Sequence, residues 1–349
     1  MRGLRKYLTP FAPDQSGAVS VLYEFGGIIV ICDAGGCTGN ICGFDEPRWF
    51  ENKSALFSAG LRDMDAILGR DDKLVEKLAD AVTKLEANFI AIIGTPVPAV
   101  IGTDYHALKR MTEKKVNLPI LTVDTDGMEL YDKGEEKAWK ELFRVFAGEK
   151  EEVIPGRIGI LGMTPQEISD LRGADRIRER FEAEGKRAIC YGMGNGLEDV
   201  KAASRAEKNI VAAPAALEAA KYLEKSYGTP YEIAYPLVDE LFYDMDYQGK
   251  KVLIVQQQVI GNAIREEIEK RSEDAQVTVA SWFMLKPELR REKDLHLRDE
   301  EDYISLVEKE TYDVIYADAC MKAMTPDFSG IFIDTAHFAV SGQLAGVRE

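Results

Sequence analysis

Gly27-Ile-Ile-Val-Ile31-Cys32-Asp33-Ala34-Gly35-Gly36-Cys37-Thr38-Gly39-Asn40-Ile41-Cys42-Gly43 is the stretch on which the reading of this chain turns. Its first half is an apolar, β-branched run without alternation, the pattern of a strand buried on both faces of a parallel sheet. Its second half is a glycine loop holding three of the chain's five cysteines. Such a loop lies at the carboxyl end of a strand, where open α/β sheets bind their ligands. Gly35, Gly36 and Gly39 let backbone approach a ligand closely and leave amide hydrogens free to face an anionic cluster. Thiolates there hold a metal cluster, act as redox groups, or simply pack.

Outward from this loop, short apolar runs alternate with helical patterns over the whole length, the signature of parallel α/β domains. Residues 27–32, 89–93 and 120–123 form a first group of expected strands, with Leu74, Leu78, Val82 and Leu85 at helical spacing between them. Residues 157–161, 187–191 and 209–212 form a second group, and 250–255, 276–281 and 312–317 a third. A helix over 215–226 ends at Tyr227-Gly228-Thr229-Pro230, a glycine-then-proline stop. Another is expected near 261–271, and the charged segment 148–156 reads as a linker. The expected fold is α/β: three Rossmann-like lobes with parallel sheets. Their boundaries are 1–150 with the cysteine–glycine loop, 151–247, and 248–349 with the C-terminal segment.

At 349 residues, nearly half of them apolar, the chain has ample core for such lobes. Its formal charge of −16 repels phosphates and argues against nucleic acid. The same charge favours solubility and docking to a basic patch. No apolar run spans a bilayer, and the basic start Met1-Arg-Gly-Leu-Arg-Lys6 lacks the apolar core of a signal peptide. An odd, uneven set of cysteines fits a reducing compartment rather than a disulfide framework. The expectation is a soluble, cytoplasmic protein.

The five-residue spacings from Cys32 to Cys37 and from Cys37 to Cys42 match no zinc ribbon or ferredoxin pattern. Cys32, at the strand end, reads as packed and inert. Cys37 is the foremost metal ligand, and Cys42 stands open between the two readings. Asp33 beside them is an oxygen ligand, a proton-delivery group or a turn cap. Gly192-Met193-Gly194-Asn195-Gly196 follows an expected strand and reads either as an anion loop or as a tight turn. It lacks the dinucleotide glycine spacing, and no Walker A sequence occurs. Of three histidines, His296 reads as surface, His106 as a buried capping or ligand group, and His337 as the foremost functional one. No hydrolase motif is present.

Several segments, in order, resemble the nitrogenase component 1 family. Asp33-Ala-Gly-Gly-Cys37 is similar to the family's His-Gly-x-x-Gly-Cys loop, whose cysteine ligates an iron–sulfur cluster at the subunit interface. Ile93-Gly-Thr95-Pro-Val-Pro-Ala-Val-Ile-Gly102-Thr-Asp104 resembles its Cys-Pro-x-x-x-x-Gly-Asp-Asp segment, and Pro119-Ile-Leu-Thr-Val-Asp124-Thr-Asp126-Gly127 the strand and loop that follow. Leu223-Glu-Lys-Ser-Tyr227-Gly228-Thr-Pro230 resembles its Glu-x-x-Gly-x-Pro helix end, and Asp327-Phe-Ser-Gly330 its Asp-Tyr-Ser-Gly.

The departures bear on function. The family's other interface-cluster cysteines fall near Phe11 and at Thr95, so Cys37 alone carries over. The cysteine and histidine that hold the large catalytic cofactor fall at Ala213 and Met324. The resemblance therefore implies neither an iron–molybdenum-type cofactor nor dinitrogen reduction here. It implies an iron-sulfur cluster, expected as 4Fe-4S, at the interface of a homodimer or of a heterodimer with a sister subunit. Cys37 with Cys42 or Cys32 from each of two chains supplies four thiolates. Alternatively, Cys37 from each chain is joined by Asp33 or a non-protein ligand. Gly35 and Gly36 would lie against that cluster. Two functions stay open: a nitrogenase-like reductase component fed by an ATP-dependent iron-protein reductase, and a non-catalytic scaffold or carrier for metallocofactor assembly. For the first, Gly192–Gly196, Asp318, Cys320 and His337 are the expected cleft.

Overall fold

The computed structural model describes residues 5–62, 64–65 and 69–345. Strands β1 (Ile28–Ile31), β2 (Ala55–Ser58), β3 (Ile90–Ile93) and β4 (Ile120–Val123) form a first sheet in the order β2-β1-β3-β4. Strands β5 (Ile154–Leu161), β6 (Arg187–Cys190), β7 (Ala206–Val211) and β8 (Tyr231–Ile233) repeat that topology as β6-β5-β7-β8. The third sheet runs β11-β10-β9-β12-β13, from β9 (Lys251–Val255), β10 (Gln276–Ser281), β11 (Leu295–His296), β12 (Val314–Ala317) and β13 (Ile331–Asp334). All the pairings are parallel. The fold is three parallel α/β lobes, as expected.

In each sheet the first strand in sequence lies inside, and the chain leaves it in opposite directions for its two neighbours. That makes a topological switch point between β1 and β3, between β5 and β7, and between β9 and β12. The β1 run is buried along its whole length, which is why it is apolar at every position.

The lobes share their cores. Ile29, Ile31 and Ile93 of the first sheet join Leu161, Ile189 and Val211 of the second in one cluster through Trp139 and Phe143. A second cluster joins Ile160 and Ile210 to Val252, Ile254 and Tyr316 of the third lobe. The helix Tyr131–Phe146 is the hub: its Ala138, Trp139, Leu142 and Phe143 are all fully buried. It crosses the wholly buried helix Asp14–Leu22 at Gly17 and Gly134, where backbone nearly touches backbone.

Two local expectations fail. The segment 148–156 is not a free linker: β5 already begins at Ile154, its register shifting before Ile158 around Pro155 and Gly156. Proline has no ladder donor and Gly156 sits at φ +77°, so the stretch reads as a breaker although it pairs. Strands β2, β8, β11 and β13 have no counterpart among the expected runs. They are short and each carries exposed or half-exposed positions, so no continuous apolar signal marks them. Among the described residues, no helix is long and apolar enough to cross a membrane.

Candidate metal centre and its surroundings

Cys32 directly follows β1 at the first switch point and is 3% exposed. Its carbonyl accepts the Thr95 hydroxyl at 2.7 Å, so Thr95 ties the ends of β1 and β3 together across that crevice. Burial, with Asp71 and Asp33 adding to it, pushes the Cys32 thiol up to about 12. The next residue, Asp33, is buried and accepts the Thr38 amide at 2.8 Å, the Thr38 hydroxyl at 3.0 Å and the Ser58 hydroxyl at 2.6 Å. It caps the short helix Gly36–Asn40, the turn role among those open to it. Gly35, at φ +126°, makes the corner that no side-chain-bearing residue adopts readily.

The helix Gly36–Asn40 then widens into a π-helical turn, Ile41–Asp45, closed by the Glu46 amide on the Ile41 carbonyl at 2.9 Å. In an unbroken α-helix residues five apart lie about 140° apart around the axis. Widening the turn reduces that offset. Cys37 and Cys42 accordingly both rest half-buried against the same core cluster. Burial raises both thiols and Asp33 raises them further, so in the free chain they hold their protons. Asp45 pins the far end, accepting the Ser16 hydroxyl at 2.7 Å and the Asn40 amide at 2.6 Å.

The turn faces open space. A methyl group added at Gly36, Gly39 or Gly43 would meet nothing within 4 Å. Glycine in a helix costs about 1 kcal/mol relative to alanine, and packing within this chain returns nothing for it. On the turn itself Phe44 is an apolar side chain left 75% exposed. Gly127 lines the same cleft as Phe44, and the next residue, Met128, is 78% exposed. That cleft, of about 640 Å³, is bounded by Phe11, Phe44, Asp45, Gln166 and Phe338.

The positions matching the family's other ligands are packed. Phe11 is buried against Trp282 and Phe283, with ring centroids 5.7 and 5.3 Å away, under the Arg5 guanidinium. At the second switch point Ala213 is fully buried, and a methyl group at Gly162 would come within 2.8 Å of its Cβ. Met324 is buried in the third lobe's core. A large cofactor finds neither ligand nor room between Gly162 and Ala213.

The expected cleft of Gly192–Gly196, Asp318, Cys320 and His337 does not form. Gly192 gives its carbonyl to Arg48 at 2.6 Å, and the Asn195 side chain accepts the Cys190 amide, so this is a tight turn. Asp318 is buried and accepts the amides of His337 and Cys320. His337 is a buried ring against Tyr131 and Phe283 rather than a group facing a cleft. His106 is exposed, and Asp104 does the capping there, accepting the Ala107 amide at 2.9 Å. His296 is exposed on β11, as expected.

Burial holds His337 neutral, down at about 4, against an ordinary 6.5. The unfolded chain binds this proton first, so stability is lost as pH falls from about 6.5 toward 4. Denaturant titrations across that window are expected to lose up to about 3 kcal/mol, a loss that His337→Gln reduces.

Among the described residues, no three or more His, Cys, Asp and Glu side chains gather as a metal site within one chain. The thiol pair on its uncovered surface fits a cluster shared with a second chain, and does not fit one enclosed in a single chain.

Three parallel lobes, each with its own switch point, define a three-lobed α/β class of fold. Sequence comparison agrees: the family described as nitrogenase component 1 type oxidoreductase matches residues 14–239. The chain belongs to that family. Among curated relatives, the nitrogenase iron-molybdenum cofactor biosynthesis protein NifE of Nostoc sp. is 24% identical over 195 residues, covering 54% of this chain and 38% of that protein. NifE of Clostridium pasteurianum is 26% identical over 244 residues, covering 68% and 48%. The matched segments thus span less than half the length of these relatives. Among solved structures, "Nitrogenase Cp1 at pH 6.5" superposes with a TM-score of 0.71 at 14% identity, covering 96% of this chain and 87% of that one. That likeness extends the shared fold over all three lobes.

Proposed function

We propose that this chain is a scaffold or carrier in metallocofactor assembly. It holds an iron–sulfur cluster on Cys37 and Cys42 at an interface with a second copy of itself or a sister subunit. The observation that carries this reading is the contrast between switch points. At the first, two half-buried thiols stand on an open glycine turn that carries the uncovered Phe44. At the second, Gly162 and Ala213 close the space.

A second chain covering Phe44 and Met128 would bring a second thiol pair opposite the first, making four ligands, as a 4Fe-4S cluster takes. Gly35 and Gly36 leave backbone beside those thiols, and Cys32 stays behind them as packing. The thiols keep their protons until metal arrives, so loading releases protons and strengthens with rising pH. A cluster held at a seam between subunits leaves when they part, which suits transfer. The relatives' biosynthetic role supports assembly over electron transfer. Thiols of this kind stay reduced in the cytoplasm.

One observation favours the redox reading: the cleft of about 640 Å³ beside the loop has room for a small substrate. A cluster-loaded dimer mixed anaerobically with an apo iron–sulfur acceptor separates the two. Scaffold function predicts that iron and sulfide move to the acceptor. Retention of the cluster, with reduction by an ATP-dependent iron protein and reoxidation on adding substrate, would establish the reductase instead.

A further inference from the structure

The cleft beside the thiol loop has a chemistry of its own. Its lining comes from residues 9–13, the turn at Phe44 and Asp45, Gly127, Gln166 and the helix Phe338–Ser341. The first of these walls is held in place from both ends. The Glu300 carboxylate accepts the amides of Lys6 and Tyr7 at 2.8 Å and of Leu8 at 2.7 Å. At the other end the Ala12 carbonyl accepts the Tyr131 amide at 2.9 Å. Phe11 and Phe338 are both buried, so the apolar lining is seated in the core. A preformed cleft of about 640 Å³, mostly apolar and aromatic with a few polar groups, is the usual form of a small-molecule site.

The polar groups sort by charge and by hydrogen-bond sense. The lining holds one carboxylate, Asp45, and no Lys, Arg or His. Asp45 Oδ2 takes two neutral donors, the Ser16 hydroxyl and the Asn40 amide. Among the described residues no cation pairs with Asp45. Gln166, at 0% exposure, gives its Nε2 to the Asp45 carbonyl at 2.7 Å, and its Oε1 has no donor among the described residues. Gln15 Oε1 is likewise buried without a donor, and a methyl group at Gly127 would lie 3.2 Å from it. The Ser341 hydroxyl donates to Asp318 at 2.7 Å. Arg5 lies over the Phe11 ring, but its guanidinium is tied to the Thr9 carbonyl at 2.6 Å and faces Glu300.

The lining thus has acceptors to spare and lacks a positive charge. A carboxylate or phosphate ligand would meet Asp45 with no cation to hold it. A protonated amine would meet a carboxylate among aromatic rings, both of which attract it. We propose that this cleft binds an organic ammonium, a protonated amine on an aromatic or apolar body, with its N–H groups on Asp45 and its body against Phe11, Phe44 and Phe338. The chain's net charge of −16 draws such a ligand in. The site stands under either reading of the thiols, because none of these residues is a thiol.

Three probes with one indole body separate the head groups: tryptamine carries an ammonium, indole-3-propionate a carboxylate, and 3-ethylindole no charge. Ligand-detected NMR titrations use the metal-free chain at neutral pH, so their outcome is separate from cluster loading. Tryptamine is expected to bind at least about tenfold more tightly than either of the others. Asp45→Asn should abolish that preference while the neutral probe binds as before, which a merely unfolded variant would not do. Phe44→Ala, at an exposed position, should weaken all three probes. No binding of tryptamine at millimolar concentration, or a carboxylate or neutral probe bound as tightly, overturns the proposal without any variant having to fold. A preference for the ammonium that survives in Asp45→Asn also overturns it.

Discussion

Gly134→Ala is expected to destabilise the chain by at least about 3 kcal/mol, enough to leave much of it unfolded or insoluble. A methyl group at this position would lie 1.7 Å from the Asp14 carbonyl oxygen and 2.5 Å from its carbon. Both are backbone, so no rotamer change relieves the clash, and the helices Asp14–Leu22 and Tyr131–Phe146 must separate. Asp14 holds the amides of Asp126 and Gly127, and Ser16 holds Asp45, so that separation also unpins the thiol loop. Gly36→Ala is the internal contrast, because its methyl group meets open space. It should stabilise the free chain by up to about 1 kcal/mol, yet weaken assembly where a partner approaches the turn. Denaturant unfolding of both variants, beside sedimentation of the second, checks the pair.

Arg48→Ala has the second largest expected effect, about 3–5 kcal/mol. The guanidinium is 2% exposed and donates to Glu46 at 2.8 Å, to the Gly192 carbonyl at 2.6 Å and to the Ser20 carbonyl at 2.6 Å. Glu24 lies 3.5 Å away. Truncation leaves the buried Glu46 carboxylate without its cation and two carbonyls without a donor, at the joint between the first and second lobes, while Glu24 keeps Lys53 at 3.4 Å. Arg48→Lys should recover little of the loss, because one ammonium cannot reach groups spread around a planar fork. Chemical denaturation at neutral pH measures both, and a loss under about 1 kcal/mol for the alanine variant would contradict the role given to Arg48.

What was legible in the sequence follows from how each feature is encoded. Inner strands such as β1, β3 and β9 announce themselves because burial on both faces demands unbroken apolar runs. Edge strands such as β11 need only a few backbone bonds and carry exposed side chains, so nothing in their residues marks them. The thiol loop was readable because glycine, cysteine and strand end lie within one short segment. The cleft was not, since Phe11, Phe44 and Phe338 come together from three distant segments. Glu135 was equally hidden. In Lys133-Gly-Glu135-Glu-Lys137 it resembles an exposed helix charge, and only the second lobe's approach through Thr164 buries it. His337 was expected to face a ligand because histidine is scarce here, and three-dimensional packing made it a buried ring hydrogen-bonded to Tyr131 instead.

The central claim is that Cys37 and Cys42 hold a cluster between two chains. Anaerobic reconstitution with iron and sulfide tests it most directly, with iron quantitation and electron paramagnetic resonance on the wild type, Cys37→Ala and Cys42→Ala. About four irons per pair of chains, with a reducible signal lost in each variant, is the predicted result. Iron that is unchanged in both variants, or no iron bound by the wild type, would contradict it.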